Sequence, residues 1–551
     1  MKINNLKNIP KDGFAGLKEN FSNDALSGFL VFLLALPLSL GIAKASEFSA
    51  IYGLITAMIG GVIVSFIAGS KLTIKGPAAG LIVIVAGSVS ELGNGDADLG
   101  WKLALGAIAI AGVCQILFGI FKFGKLNDFF PLSAVHGMLA AIGIIIISKQ
   151  IHILAGVTPI TETGKSMVEP LDLLELIPTT LQHFFLHANV AFVGLISLII
   201  VFGWPRIKNG FLKKIPAPLV VLAISIPLAM ILGIHNEPDT VNSAGETIKG
   251  FKPLVNFNEG LFDILGVKIH SSDYNGFSNY FTFFKFVVMF GLVGSLESLL
   301  TVKAVDMMDP YKRKSNYNKD LIAIGIGNVI AGVLGGLPMI SEVARSSANI
   351  NNGGKTRWAN FFHGIFILLF LIFAVTFSDL IPMTALAAML IGVGFKLVHP
   401  KEFKHMAKIG WDQIVVFLIT IMFTLATDLL IGIGVGILIK IIIHILNGVP
   451  LKNIFSAKST IEGNKIRVNG AAVFSNLIGI KKQIAKFELT ENVIFDVTNC
   501  KLIDHTVIEN LHHIKHDFES SGGSFTILGI NEFKPATGSS LKFATVKKQF
   551  K

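Results

Sequence analysis

The residues best suited to chemistry are charged side chains within long apolar runs of the sequence. Glu297 lies in the run Phe290–Leu300, and Arg345 follows a break that contains glycine and proline. Ionisable groups inside membrane-spanning segments are costly and usually mark ion or proton pathways. We therefore predict that Glu297 lies on the path of a proton or another cation. A structural carboxylate paired with a nearby base such as Lys303 is the alternative.

Two short stretches interrupt the apolar pattern with glycine and proline at membrane depth. They are Lys75–Gly80 and Gly335–Ser341, and each opens a short helical segment. Irregular backbone inside a bilayer is tolerated only where protein or a water-filled cavity covers it. A matched pair of such breaks is typical of a secondary transporter built from internal repeats. The free amides at the start of each half-helix would face a central site and favour an anion.

The starts of these two half-helices define the predicted anion site. Arg345 lies about one turn into the second half-helix, where a fixed guanidinium would suit the oxygens of an anion. The alternatives are an ion pair between Arg345 and Glu342, three residues apart on one face, and simple packing of small residues. The residues predicted to bind the anion are Gly76, Pro77, Ala78, Ala79, Ser341, Glu342, Val343, Ala344 and Arg345.

The composition indicates a multi-span membrane protein. Of the 551 residues, 52% are hydrophobic and only 15% are charged, against about 25% charged in soluble proteins. The sequence contains no Ser/His/Asp grouping, no metal-ligand spacing and no phosphate-binding Gly-Lys-Ser/Thr loop. We therefore expect no enzyme activity, no metal and no cofactor beyond a coupling H⁺ or Na⁺. The net charge of +11 lies largely in short loops, so nucleic acid is not an expected partner.

Apolar runs between residues 24 and 447 predict fourteen membrane segments. A full span needs about 20 residues, so the third and tenth segments, which contain the two breaks, are half-helices. The predicted segments are 24–45, 49–69, 76–91, 101–122, 130–150, 187–204, 216–235, 281–306, 319–336, 340–351, 358–378, 380–397, 411–427 and 429–447.

Loop charges predict the orientation of these segments. Loops 204–214, 309–320 and 396–408 are rich in lysine and arginine, which marks the cytoplasmic side. The intervening loops carry Glu91, Asp96, Asp98, Glu162, Glu169, Asp172, Glu175, Glu237, Asp239 and Glu246.

The even number of segments places both termini, including residues 1–23, on the cytoplasmic side of the inner (plasma) membrane. The broken segments are third in each half, so the transporter domain, 24–447, divides into seven-segment repeats of about 24–235 and 281–447. Because seven is odd, the second repeat is predicted to be inverted relative to the first.

The composition becomes typical of a soluble domain after the last apolar run. Lys465–Val473, Asn492–Val497 and Ser524–Leu528 are predicted strands, and Thr506–Ser520 is a predicted helix that stops at Gly522. This order indicates a small α/β domain over residues 451–551.

Several of these stretches resemble SulP anion transporters. Leu36–Ala43 is similar to that family's first-helix signature, Lys75–Ala79 to the start of its third helix and Gly294–Leu300 to its eighth. Gly336–Asn349 is similar to the tenth, and the C-terminal region resembles a STAS domain. The resemblance implies a fourteen-segment inverted repeat with a mobile core domain and a gate domain. It also implies a homodimer in the lipid membrane with a cytoplasmic STAS-like domain.

The resemblance also assigns roles to individual residues. It places Glu297 where relatives hold an acid linked to proton or cation binding, with Thr301 one turn further on; a Thr301 hydroxyl bonded to its own helix is the alternative. Glu342 departs from the family, which carries a small or hydroxylated residue there. Asp504-His505-Thr506 stands in place of the Asp-Ser-Ser-Gly phosphorylation loop of related domains. The change favours a docking or dimer-stabilising role over phosphorylation.

The predicted function is secondary active transport of a small inorganic anion, sulfate or bicarbonate, by symport with protons or sodium. An uncoupled anion exchanger or channel for chloride or bicarbonate on the same fold is the main alternative, and the intramembrane Glu297 argues against it. A membrane sensor and a purine or pyrimidine permease are further alternatives. The degenerate Asp504 loop disfavours the first of these, and the C-terminal domain disfavours the second.

Overall fold

The computed structural model of this chain divides into two units. They comprise residues 1–124 with 142–396, and residues 125–141 with 397–551. The structure describes residues 9–125, 130–157, 159, 170–182, 187–207, 215–236, 240–241, 247–248, 252–255, 280–311, 313–373, 380–535 and 545–548. Nine of the loop charges used to predict orientation lie outside the described residues: Glu162, Glu169, Lys208, Lys213, Lys214, Glu237, Asp239, Glu246 and Lys312.

Apolar helices form most of the first unit. Among the described residues, eight helices are long and apolar enough to cross a membrane, and four further apolar helices are shorter. The helices that lie mostly in this unit are α1 (Gly13–Ala45), α2 (Ala50–Ile59), α3 (Ile82–Gly93), α4 (Ala97–Ile120), α5 (Leu132–Leu154), α6 (Ala188–Gly203), α7 (Ala217–Ile231), α8 (Tyr280–Met308), α9 (Tyr317–Leu334), α10 (Val343–Asn351), α11 (Trp358–Phe373) and α12 (Met383–Leu397). Short helices Pro170–Glu175 and Ile177–Gln182 follow α5 in the sequence.

Two four-residue strands, β1 (Ile74–Pro77) and β2 (Met339–Glu342), precede the two short helices α3 and α10. The strands pair antiparallel with each other. Helix α9 ends because Gly335 adopts a left-handed conformation, with φ +86°. Pro338 then lacks the N–H that another helical turn would need. The chain is therefore extended before α10, and the pairing satisfies part of its backbone.

Glycine allows several helices of this unit to touch backbone to backbone. Gly61, in the π-helical turn that extends α2, faces Gly364 of α11. Gly112 of α4 similarly faces Gly325 of α9. Close approach at small residues provides the packing that holds helices together in lipid.

The second unit joins the last apolar helices to an α/β domain. Its elements are α13 (Pro400–Ile409), α14 (Trp411–Ala426), α15 (Leu429–Leu446), α16 (Leu451–Phe455), β3 (Lys458–Glu462), β4 (Lys465–Ala472), α17 (Leu477–Ile484), β5 (Asn492–Ile503), α18 (His505–Ser520), β6 (Ser524–Leu528), β7 (Phe533–Pro535) and β8 (Val546–Lys548). The sheet has the strand order β3-β4-β5-β8-β7, and β6 pairs with β5. Its core includes Ile466, Phe495, Leu511 and Phe525.

Buried polar contacts connect the α/β domain to the last two apolar helices. Lys440 of α15 donates to Asp412 of α14 at 2.9 Å, and Thr545, one residue before β8, donates to the same carboxylate at 2.9 Å. Asp504 caps α18, and its carboxylate lies 3.6 Å from His444 of α15. The domain is thus held to these helices by groups excluded from water.

The α/β character of the C-terminal region and the multi-span helical character of the rest are confirmed. A helix lies in each of the fourteen segments predicted to be in the membrane. Several features of the C-terminal domain differ from the sequence expectation. The strand predicted to end at Val497 continues to Ile503, and β3, β7 and β8 were not expected. Strand β8 pairs with residues 502–503, more than forty positions earlier, so local pattern could not reveal it.

We predict that Gly364→Ala loosens the contact between α2 and α11. A Cβ at this position would lie 2.7 Å from the backbone of Gly61 and Val62, and backbone cannot move aside as a side chain does. Such overpacking costs about 1–3 kcal/mol. Gly434→Ala is the matched control because nothing lies within 4 Å of its added methyl. In thermal unfolding of the detergent-solubilised protein, the midpoint should fall for Gly364→Ala and stay at the wild-type value for Gly434→Ala. Equal midpoints for both variants would contradict this packing.

We predict that Asp504 makes stability fall as pH rises through the acidic range. Burial raises the pKa of Asp504 from 3.8 to about 6. The folded protein therefore binds this proton more tightly than the unfolded chain, and that stabilisation is lost between about pH 4 and about pH 6. Asp504→Asn keeps a capping oxygen and removes the titration.

As the pH rises across that interval, the free energy of unfolding of the Asn variant should increase by about 3 kcal/mol relative to that of the wild type. The measurement is thermal unfolding of both full-length proteins across this pH range. A difference between them that does not change with pH would contradict the titration.

Candidate functional site

The pairing of β1 with β2 brings the starts of both half-helices to one place. Gly76 lies opposite Ile340 and Pro77 opposite Met339, while Ile74 lies opposite Glu342. Because the strands are antiparallel, α3 and α10 leave from opposite ends of this ribbon. At about 3.4 Å per residue, the two ends of the ribbon are about 10 Å apart. The positive ends of both helix dipoles therefore converge on the ribbon.

Polar side chains from neighbouring helices satisfy the backbone of the second break. Asn328 of α9 accepts from the Met339 amide at 2.6 Å and donates to its carbonyl at 3.2 Å. Thr56 of α2 accepts from the Leu337 amide at 2.7 Å. Ser298 of α8 accepts from the Ser341 amide at 3.2 Å. These contacts fix an irregular backbone that lipid could not satisfy.

The first break is held in the same manner. Ser346 accepts from the Ile74 amide at 2.9 Å, and Asn360 of α11 accepts from the Lys75 amide at 3.3 Å. Asn360 also donates to the carbonyl of Gly60 at 3.0 Å, which ties the ribbon to α2. Hydrogen bonds from other helices therefore hold each break in place.

A buried ion pair joins the ribbon to α9. Lys75 donates to Asp320 at 3.1 Å, and both side chains are almost wholly buried. The other carboxylate oxygen of Asp320 accepts from the Ser341 hydroxyl at 3.0 Å. The same Asp320 therefore contacts one residue of β1 and one of β2. A buried pair is costly to break because the remaining charge is left without a partner.

Glu297 of α8 lies against the start of the first half-helix. Its carboxylate is hydrogen-bonded to the backbone of Gly80, and a methyl group at Gly80 would overlap both carboxylate oxygens. Its Oε2 atom is buried and has no hydrogen-bond partner among the described residues. The described residues show no ion pair between Glu297 and Lys303. The role of Glu297 stays a prediction.

Glu342 and Arg345 lie at the start of the second half-helix. The Glu342 carboxylate caps α10 by accepting from the Arg345 amide at 3.1 Å. It also lies 3.7 Å from the Arg345 Nε, as the ion-pair alternative anticipated. The Arg345 guanidinium is fully buried and lies directly against Gly76 of the opposite break.

The remaining predicted residues fall around the same ribbon. Ala78, Ala79 and Ser341 are buried, whereas Val343 and Ala344 are exposed at the first turn of α10. Thr301 is buried one turn after Glu297 on α8. The structure thus gathers the predicted anion-binding residues at the two half-helix starts, with Glu297 beside them.

The supporting polar residues were missed by the sequence analysis. Thr56, Asn328 and Asn360 each stand in an apolar run and contact one of the two breaks. Asp320 stands at the polar start of α9 and contacts both strands. The available signal was the cost of a polar group in a membrane segment. That signal could not say which break each residue serves.

In this helical membrane protein, two half-helices start at one antiparallel ribbon. That is the architecture of a secondary transporter. The sequence matches the model of the sulfate permease family over residues 21–420. It is 27% identical to YvdB of Bacillus subtilis over 431 residues, which are 78% of this chain and 74% of YvdB. It is 24% identical to the bicarbonate transporter BicA of a Picosynechococcus species, over 77% of this chain and 70% of BicA.

The fold agrees with that match. The murine anion transporter Slc26a9 in its inward-facing state superposes with a TM-score of 0.63 at 15% identity, over 92% of this chain and 85% of that one. The chain belongs to the sulfate permease family, which confirms the resemblance seen in the sequence. It is therefore an integral membrane transporter of inorganic anions and not an enzyme.

We predict that Lys75 and Asp320 are strongly coupled in stability. Lys75→Met or Asp320→Asn alone should cost about 3–5 kcal/mol, because each leaves one buried charge without a partner. The double variant should lose clearly less than the sum of the two. The exposed pair of Lys102 and Asp98 is the control, since exposed pairs contribute at most about 1 kcal/mol. Thermal unfolding of the four Lys75/Asp320 proteins measures the coupling, and additive losses would contradict it.

Proposed function

We propose that this protein accumulates sulfate or bicarbonate by symport with protons or sodium ions. The observation that carries the proposal is the convergence of both half-helix starts on one ribbon, with Arg345 buried beside them. Helix starts present free amides and partial positive charge to an anion. Family membership and the name of the relative BicA support an inorganic anion as the solute.

The anion is bound by the backbone at the ends of the ribbon. Gly76, Pro77, Ala78 and Ala79 form one side of the site, and Ser341 to Arg345 form the other. Small side chains at 78 and 79 leave room for an anion beside the backbone, although the Ala78 amide also donates to the Pro338 carbonyl at 3.3 Å. The charge of Arg345 sets the field, because its guanidinium lies between the second helix start and Gly76.

Glu297 couples the cation to the anion. Its carboxylate lies at the start of α3 and shares a helix face with Thr301. An ionised carboxylate there repels the anion, so a proton or sodium ion on Glu297 favours loading of the anion. Cation and anion then cross together.

The proposal includes the arrangement of the chain in the membrane. Residues 24–447 form the transporter domain, with inverted repeats of about 24–235 and 281–447 arranged as core and gate domains. Both termini and the STAS-like domain, 451–551, lie in the cytoplasm, and two copies form a homodimer. The convergence of one half-helix from each repeat supports the inverted relation.

Uptake into proteoliposomes tests the function. Purified protein is assayed with ³⁵S-sulfate and ¹⁴C-bicarbonate under a pH gradient without sodium, and under a sodium gradient without a pH difference. We expect one gradient to drive accumulation of one anion. Uptake that ignores both gradients would replace symport with an uncoupled exchanger or channel.

Glu297→Gln should separate coupling from folding. We expect gradient-driven accumulation to be at least about tenfold lower in the variant than in the wild type, because the substitution removes the ionisable group. Its thermal stability should stay near that of the wild type. Glu91→Gln, at an exposed glutamate that pairs with Lys285, is the matched control. Wild-type gradient dependence in Glu297→Gln would rule out this residue as the coupling site.

A further inference from the structure

A cavity of about 210 Å³ lies where several helices of the first unit begin or end. It is bounded by the last turns of α1 and α5 and by the starts of α6 and α12. None of the ribbon residues is among the described residues that line it. Since one water fills about 30 Å³ of the liquid, this volume admits a small inorganic anion with several waters.

The charged side chains around this cavity are mostly basic. Its described lining includes Lys44 of α1, Lys149 of α5, Lys252 and Glu47. Lys149 is buried, and its ammonium group donates to the Glu47 carboxylate and, at 3.4 Å, to the carbonyl of Ala45. Three lysines against one glutamate give the described lining an excess of two positive charges.

The ion pair between Glu47 and Lys149 does not account for this excess. Lys44 interacts electrostatically with the same carboxylate, so one acid serves two lysines. A second negative charge in the cavity would balance them better. An anion that enters from the medium supplies such a charge.

A short backbone pairing places Lys252 beside the start of α12. The amide of Met383 donates to the carbonyl of Pro253 at 2.8 Å, and the amide of Val255 donates to the carbonyl of Ile381 at 2.8 Å. Lys252 is exposed although its neighbours are fixed. It therefore meets solutes from the medium at the edge of the cavity.

The start of α12 contributes a hydrogen-bond donor and a helix dipole. Thr384, the second residue of α12, lines the cavity, and its hydroxyl is buried without a hydrogen-bond partner among the described residues. Buried polar groups are normally paired. The N-terminal end of a helix carries about half a positive charge. Both features favour a ligand that is negatively charged and has acceptor oxygens.

The cavity lies at the opposite end of two helices from the basic loops. Helices α6 and α12 begin at the cavity, and they end at Gly203 and Leu397, beside the lysine- and arginine-rich loops 204–214 and 396–408. In the proposed arrangement those loops are cytoplasmic, so the cavity faces the external side. Lysine and arginine are concentrated on the cytoplasmic side for orientation. Three lysines gathered on the other side therefore need another explanation.

We propose that this cavity is an external capture site for a small inorganic anion such as sulfate or bicarbonate. Its three lysines attract the anion, and the Thr384 hydroxyl donates a hydrogen bond to one of its oxygens. The proposal rests on the proposed transport function and adds a binding step before the anion reaches the ribbon. Clefts lined by charge of one sign raise the local concentration of counter-ions. The site therefore matters most when the external anion is scarce.

Influx at two anion concentrations tests the site. Right-side-out vesicles from cells that express the full-length protein receive ³⁵S-sulfate or ¹⁴C-bicarbonate at low ionic strength, with the driving gradient directed inward. Lys44→Gln and Lys252→Gln each remove one positive charge from the cavity. Lys285→Gln is the matched control, because Lys285 pairs with Glu91 and is not among the described residues that line the cavity.

At low anion concentration, influx in each cavity variant should be about threefold below that of the wild type, since each variant loses one attractive charge. At saturating anion concentration, influx should match the wild type. Lys285→Gln should match it at both concentrations. Raising the ionic strength to about 0.5 M with potassium gluconate should remove most of the difference, because salt screens charges that are open to water.

Charged thiol reagents on Lys252→Cys test the charge and the external exposure of this position. A membrane-impermeant ethylammonium methanethiosulfonate restores a positive charge and should return influx at low anion concentration to near the wild-type value. The ethylsulfonate reagent adds a negative charge and should lower influx further. Neither reagent should act when added to inside-out vesicles, whose lumen the cavity faces. The wild type treated in parallel controls for Cys114 and Cys500.

Three results would overturn the proposal. They are wild-type influx in both cavity variants at low anion concentration, a loss that is the same at low and saturating concentrations, and equal effects of the two reagents. If wild-type accumulation is gradient-driven while the cavity variants behave as wild type, only the capture site fails. If the wild type itself accumulates neither anion, the proposed function fails.

Discussion

The antiparallel pairing of β1 with β2 positions the two half-helix starts. Broken helices leave amides and carbonyls exposed at a depth where lipid offers no partner. Pairing the two breaks satisfies part of that demand, and Asn328, Thr56 and Asn360 satisfy much of the remainder. The buried pair of Lys75 and Asp320 then holds the ribbon against α9. Two helix starts are thereby fixed at one site without any covalent link.

This geometry concentrates positive charge at the ribbon, and two glutamates lie beside it. Two converging helix dipoles and the buried Arg345 would form a strongly positive centre in a medium of low dielectric. Glu297 and Glu342 balance that charge while no anion is bound. In the symport that we propose, a cation enters with the anion and keeps the site close to neutral.

Local sequence signals indicated the residues of the candidate site but not the residues that hold them in place. The Gly/Pro breaks, the apolar run around Glu297 and the position of Arg345 were visible because each violates a membrane rule locally. The strands at the breaks were not predicted, because their pairing joins residues 74–77 to residues 339–342. The sequence shows that Asp320 is charged but does not show that Lys75 is its partner. In the C-terminal domain, β8 escaped prediction for the same reason, since its partner strands are fixed only by tertiary contact.

A structure with a bound anion would show directly whether the two helix starts form the binding site. Crystals of the full-length protein grown with selenate, which has the shape of sulfate, would be measured at the selenium absorption edge at about pH 5, where carboxylates are more readily protonated. We predict an anomalous peak at the ribbon, within hydrogen-bond distance of the Arg345 guanidinium and of amides that open α3 or α10. A bound selenate elsewhere, with none at the ribbon, would contradict it.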